Sequence, residues 1–397
     1  MSEQVKRRED GTIEMDASDL DNFMGRPFPT NMLRESIHVN DIRRWVQGMH
    51  YANPLHFDDD WAAESRFGKI VAPYSFTVAT TNGHGAAPTN IGLIPNSHLI
   101  FGGDEWWFFG PRIYPGDHIK TYPMPYDYKV TDTSFAGPTC FQRGDTSYVN
   151  QNGDRIALQR STSIRYIVEN ARNKKVFARE DDPEWTEEEL IKLEETKVEF
   201  IKSLRALGHD KRLYDSVKVG EKLVTNVLGP HSLASFATEW RAYPMTIWFG
   251  AVRSSGARQD NKGYTPEMSG FEGNREMEKF NPELTDGAYY GPSRGHLQPK
   301  WAKHVGMGRG YGYGASMGAW VLDYASAFMG EWGQLVNAKT QYRNPAFTGD
   351  ATFLNGEVTD KKIDAEGRGI VTVEIVLTNQ EDAVMAKGVV EMELPRD

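Results

Sequence analysis

Two histidines stand far apart in the chain in the same short phrase. The first is His56-Phe-Asp-Asp-Asp-Trp61-Ala62 and the second His296-Leu-Gln-Pro-Lys-Trp301-Ala302. Histidine can gain and lose a proton near neutral pH, so each is a candidate general acid or base. His56 has the fuller setting. Tyr51 and Asn53 precede it, Pro54 stiffens the turn and Asp58 follows two residues on. Asn53 is suited to orient a reactant, while His296 has none of these neighbours. The competing reading for both is a histidine that only caps or hydrogen-bonds where two modules meet. Arg309, in Met307-Gly-Arg-Gly-Tyr-Gly-Tyr-Gly314, could hold a carboxylate or phosphate, or be an ordinary exposed arginine. Tyr311 and Tyr313 alternate with glycines and could line a pocket or simply pack. His50 and His304 read as structural or exposed.

The repeat extends past the histidines. Phe67-Gly68 and Met307-Gly308 follow them at one spacing. Pro115-Gly116-Asp117 is answered by Thr348-Gly349-Asp350, and Asn150-Gln151 by Asn379-Gln380, each pair slightly closer together than the one before. A spacing that drifts slowly in one direction is the mark of a tandem duplication whose loops have changed length. Gly116-Asp117 and Gly349-Asp350 fall between expected strands, where a turn is the simplest reading.

Each copy needs the same elements to position its histidine. A helix opening at Asn40, with Ile42, Trp45 and Val46 on one face, precedes the first phrase. An apolar helix follows each phrase: one from Tyr74, stopped by Gly83, and a longer one over residues 316–329, ended by Gly330. Residues 97–167 and 334–394 then turn to β-branched and aromatic runs, with hairpins around Asn152-Gly153 and within 370–385. One apolar helix per copy, followed by antiparallel strands, describes a sheet wrapped around a helix. The fold class is α+β. The division is 1–167, a charged connector at 168–212 and 213–397, with an insertion at 254–294 whose length suits a lid. Thr186-Glu-Glu-Glu189 is a capping box opening a connector helix to Leu207, with Leu190, Leu193, Val198, Ile201 and Leu204 as its apolar stripe.

Composition limits the partners. Among 397 residues the formal charge is −10, which disfavours nucleic acid and anionic membranes. The single cysteine, Cys140, cannot form an intrachain disulfide, and no run approaches the length of a membrane span. A cytoplasmic protein is expected. No metal-binding, dinucleotide or phosphate-loop motif is present. Gly314-Ala-Ser316-Met-Gly318 has the letters of a serine-hydrolase elbow but follows no strand and has no later histidine.

The sequence Asn53-Pro54-Leu55-His56-Phe57-Asp58, with Ala62, Phe67-Gly68 and Ile70-Val71-Ala72-Pro73, resembles the signature of MaoC-like (R)-specific enoyl-CoA hydratases and dehydratases. The resemblance implies two tandem hotdog modules forming a pseudo-dimer. It also implies interconversion of a 2-enoyl-CoA and a 3-hydroxyacyl-CoA, no cofactor beyond the CoA of the substrate, and self-association into a homo-oligomer. In that family an Asp and a His hold the water that adds across the double bond. His56 and Asn53 match the motif, but Tyr51 stands at the aspartate position; in the second copy Gly291 and Ser293 replace the aspartate and asparagine, leaving His296. Tyr74 and Gly314 mark the start of the central helix, whose backbone N–H would steady the thioester oxygen. The rivals are a thioesterase using Asp58, Asp59 or Glu64, and a non-catalytic acyl-CoA-binding subunit.

Overall fold

Alternation decides the sheet. Along Phe141–Val149 and again near the C-terminus, every second residue is buried, as a pleated strand with one face on a core requires. The computed structural model describes residues 6–28, 31–32, 36–80, 85, 87–243 and 294–397; the expected insertion at 254–294 lies almost wholly outside the described residues. The first half supplies β1 (Asn31–Met32), β2 (Ser97–Phe108), β3 (Lys120–Thr133), β4 (Gly137–Val149) and β5 (Arg155–Ile167). The second supplies β6 (Asn226–Leu228), β7 (Gln334–Tyr342), β8 (Thr352–Ile363), β9 (Gly369–Thr378) and β10 (Val384–Leu394). They form one antiparallel 10-stranded sheet in the order β1-β3-β4-β5-β2-β7-β10-β9-β8-β6. Counted from its own first strand, the second half has the strand order of the first, and the halves meet where β2 pairs with β7.

The helices are α1 (Val39–Gly48), α2 (Asp59–Glu64), α3 (Val168–Lys174), α4 (Glu187–Leu207), α5 (Leu233–Ala242), α6 (Arg294–Leu297), α7 (Pro299–His304) and α8 (Gly314–Met329). Helix α8 is buried at every position except Gly314, Ser326 and Ala327. Its partner in the first half is a 3-10 turn, Tyr74–Thr80, rather than a helix of similar length among the described residues. Helix α8 packs along that turn as well as on β2, β7 and β10, so one helix serves both halves.

Several local bonds recur. Gln151 accepts from His118 N and donates to Asp117, while Gln380 accepts from Ala351 N and donates to Asp350. Both glycine–aspartate pairs are turns, with Gly116 at φ +96° and Gly349 at φ +80°, a region that favours glycine. Gly116 N donates to Ile37 O as Gly349 N does to His231 O.

Three sequence expectations need correction. Helix α1 starts one residue before Asn40: His38 is the N-cap, and Asp41 accepts from its backbone N–H at 2.9 Å. On α4 the capping box at Thr186 and the stop at Gly208 are present, but Leu190 and Val198 are 40% and 45% exposed. The buried stripe is Leu193, Phe200 and Leu204, because only these share the face turned to the body of the protein. Finally, the apolar run from Tyr74 forms a tighter helix than its composition suggested.

A polar chain crosses the seam between the halves. Tyr148 Oη donates to Gln159 Oε1 at 2.6 Å, Gln159 Nε2 to Asp104 Oδ1 at 2.7 Å, and Tyr342 Oη to Asp104 Oδ2 at 2.7 Å. Burial pushes Asp104 up to about 6, against the two hydrogen bonds that hold it down. Asp104→Ala would strand two buried donors, each worth ~1–3 kcal/mol. Urea unfolding should show a loss of about 2 kcal/mol or more, and an unchanged midpoint would mean that the chain does not hold the seam.

Candidate functional site

Asn53 builds the first-half site from the backbone outward. Its Oδ1 accepts from Leu55 N at 3.1 Å and caps the turn Pro54–His56, whose first position is the proline. Its Nδ2 donates to Tyr51 Oη at 3.1 Å. Asn53 therefore braces the turn and Tyr51 rather than facing a reactant. The turn sends His56 inward, 3% exposed, where Nδ1 lies 2.7 Å from the Val71 carbonyl. A carbonyl only accepts, so Nδ1 carries the proton and Nε2 keeps its lone pair. Burial holds the His56 pKa down to about 3, the Arg112 charge adds to this, and the Val71 carbonyl opposes it. The ring is neutral at physiological pH. Tyr51 lies 5.4 Å from it, ring to ring. Burial raises the Tyr51 phenol well above its usual value, and the nearby Asp323 carboxylate adds to the effect.

Arg112 is a site residue that no motif pointed to, because it reaches the site through space from the loop after β2. It donates to Ala72 O at 2.8 Å and lies 3.8 Å above the Tyr74 ring. Arg112 and Arg66 both stand over Phe67, at 5.5 and 4.8 Å, and Lys69 stands over Tyr114 at 4.5 Å. None of these three cations has a carboxylate partner among the described residues. Tyr74 is itself buried, its ring edge-on to Phe108.

The acids near the phrase do other work. Asp58 is exposed and caps α2, accepting from Asp60 N and Trp61 N at 3.1 Å. Asp59 pairs with Arg43, and Glu64 is exposed. Asp58 is thus a helix cap, not a catalytic acid.

The second half repeats the histidine bond and uses up most of the surrounding space. His296 Nδ1 lies 2.6 Å from Tyr311 O, matching the bond from His56 to Val71. Its ring sits 4.3 and 4.0 Å from the rings of Tyr311 and Tyr313, and Tyr313 stacks on Trp240. Tyr313 is therefore packing. Arg309 is neither exposed nor open to an anion: it is 6% exposed and pairs with Asp350 at 3.3 Å and Asp182 at 3.6 Å. Gly314 does not leave room for a ligand, because a Cβ there would lie 2.5 Å from Phe101 Cβ. Gly291 and Ser293 lie outside the described residues.

Two buried carboxyls stand near α8 without a hydrogen-bond partner. Asp323, on α8, is pushed up to about 8 by burial, with the Ser75 hydroxyl opposing. Glu239, on α5, is likewise pushed up to about 8 by burial, with Ser316 opposing. In both cases the hydroxyl stands close enough to act on the pKa but not in hydrogen-bonding geometry. Among the described residues no group of three or more His, Cys, Asp or Glu could hold a metal, and no helix is long and apolar enough to cross a membrane.

The comparison with solved structures follows from this geometry. A MaoC-like dehydratase aligns over 95% of this chain and 100% of its own, at TM-score 0.59 and 13% identity. A MaoC domain dehydratase from Chloroflexus aurantiacus J-10-fl aligns over 96% and 98%, at 0.52 and 14%. A Mycobacterium tuberculosis protein described as having a double hotdog fold aligns over 95% and 98%, at 0.52 and 12%. The fold is the double hotdog of the MaoC-like dehydratases. Residues 22–159 also match the family described as FAS1-like, dehydratase domain region, a stretch that contains the His56 turn. A probable enoyl-CoA hydratase alpha subunit from Thermomonospora curvata is 26% identical over 146 residues, 34% of this chain and 46% of that protein. The matched stretch of the chain spans about half the length of that curated relative.

Gly314 gives a direct test of how the second-half site is filled. Gly314→Ala should cost ~1–3 kcal/mol of stability through overpacking, and trimming the opposing side chain in Gly314→Ala/Phe101→Ala should recover part of it. Thermal melts of the two variants decide; a Gly314→Ala variant as stable as the parent would show that the space is open.

Proposed function

We propose that this double hotdog is a hydro-lyase that interconverts a 2-enoyl-CoA and a 3-hydroxyacyl-CoA at the first-half site. The observation that carries the reading is His56, a neutral buried imidazole whose Nδ1 proton is fixed on Val71 O and whose Nε2 is left as a base. In that tautomer it can take a proton from a water attacking C3 of the enoyl group. The Tyr74 N–H, at the start of its 3-10 turn, would meet the thioester oxygen as enolate charge develops. Hydration moves protons and a lone pair but no electrons to a carrier, so the chemistry asks for no redox cofactor.

Arg66, Lys69 and Arg112 support a CoA thioester in particular. Three cations without carboxylate partners, on a chain of net charge −10 and joined to His56 through Arg112, suit the phosphates of CoA. The aromatic rings beneath them suit a flat base. The match to a protein described as a probable enoyl-CoA hydratase subunit points the same way. The thioesterase alternative needs a carboxylate beside the thioester, and its candidates Asp58, Asp59 and Glu64 are all exposed on α2.

A panel of enoyl-CoA esters incubated with the protein and read by mass should show a gain of one water on at least one ester. Release of free CoA would indicate the thioesterase, and no change on any ester would leave only a binding role. On the best ester, His56→Ala should lower the rate by roughly 10²–10⁴, and His296→Ala should do much less. Lys69→Ala should raise KM by about fivefold or less, as befits an exposed cation, with kcat nearly unchanged; a loss confined to kcat would remove the cation patch from the CoA site.

A further inference from the structure

The first half has Tyr51 where the resembled family carries an aspartate, yet the Asp323 carboxyl lies close enough to act on the Tyr51 phenol. Asp323 sits on α8, in the second half of the chain, 3% exposed. Helix α8 packs along Tyr74–Thr80, and the Ser75 hydroxyl beside Asp323 is already an acceptor for Trp45 Nε1 at 2.9 Å. The Asp323 carboxylate also acts on Tyr51, whose ring lies 5.4 Å from that of His56. Asp323 is thereby tied to Ser75 and Tyr51, which stand on either side of His56 in the chain.

Among the described residues both oxygens of Asp323 lack a hydrogen-bond partner. A buried polar group in that state costs ~1–3 kcal/mol, and more if charged. An Asn or Leu would fill the position at lower cost, so a structural role does not account for the carboxyl. Glu239 shares the burial, but its neighbours are Ser316 and Tyr243, and it acts on neither Tyr51 nor His56.

We propose that Asp323 is the catalytic acid of the first-half site, supplied across the seam by the central helix of the second half. This rests on the hydro-lyase reading above. In the hydration direction a water oxygen bonds to C3 and the water gives a proton to His56 Nε2. The π electrons of the double bond move to C2 and the thioester, and the Asp323 carboxyl gives its proton to C2. This leaves His56 protonated and Asp323 ionised. Proton transfer between them restores both, and dehydration runs the same steps in reverse. At neutral pH Asp323 holds the proton that the step needs, since burial has moved it up to about 8.

Asp323→Asn and Asp323→Leu test the assignment with two readouts. The first is stability against pH. A carboxyl whose pKa is raised on folding stabilises the fold below its unfolded value and loses that contribution as pH rises through the folded value. The melting temperature of Asp323→Asn relative to the parent should then rise from pH 5 to pH 9, with the variant the more stable at pH 9. A variant less stable than the parent at both pH values would show a structural carboxyl and overturn the proposal. The second readout is turnover on the best ester in D2O. Asp323→Asn should lose roughly 10²-fold or more in kcat, with KM within a few-fold and deuterium incorporation at C2 falling in parallel. Asp323→Glu should restore part of the rate. Undiminished turnover in Asp323→Asn, with an active parent, removes this assignment alone; an inactive parent on every ester removes the functional reading and the assignment with it.

Discussion

Helix α8 is apolar or small on every side except at Asp323, and a helix of that kind has to be enclosed. Trp320, Val321, Leu322, Phe328 and Met329 are all buried on it, and burying side chains of this size contributes ~1.5–3 kcal/mol each. The sheet achieves the enclosure by running continuously through both halves, joined at β2 and β7. Close approach is paid for in side-chain size: a Cβ on Gly318 would lie 2.3 Å from Tyr342 Oη and 3.1 Å from Asp104 Oδ2. The hydrogen-bonded chain through Asp104 then fixes Tyr342 over the helix.

The halves, alike in strand order and in the histidine bond, differ around that shared helix. Among the described residues the second half has the longer central element, and aromatic rings crowd its histidine. Tyr311 and Tyr313 flank His296, Phe101 occupies the hollow at Gly314, and Arg309 is bound to Asp350 and Asp182. Among the described residues the first half has a short 3-10 turn at the equivalent place, and around His56 it retains a fixed tautomer and cations without carboxylate partners. On the proposed function the first half holds the working site and the second serves as scaffold, with α8 belonging by sequence to the second half and packing on both.

Much of this was legible in the sequence, for physical reasons that can be named. Periodicity marked both hairpins and the long strands, because alternation is a local property of a half-buried strand. The box Thr186–Glu189 and Gly208 marked the ends of α4, because caps satisfy orphan backbone groups within a few residues. The repeated phrase marked His56 and His296 as a pair, and both make the same bond to a carbonyl. Residues whose roles depend on distant partners were not legible. Arg309 read as exposed or anion-binding, since Asp350 and Asp182 reach it only in the fold. Asp58 read as an acid beside His56, when its side chain points back to cap α2. Arg112 and Asp323 carried no local signal at all, because each comes to Tyr74, Tyr51 and Ser75 through the packing of separate elements.

The central claim is one working site per chain, in the first half. Calorimetric titration of the intact protein with a 3-hydroxyacyl-CoA product of the active ester counts that directly. The account predicts a stoichiometry of one per chain, lost or much weakened in a variant carrying Arg66→Ala, Lys69→Ala and Arg112→Ala, and retained in His296→Ala. Two equal sites per chain, or a single site abolished by His296→Ala and indifferent to the three cations, would contradict it.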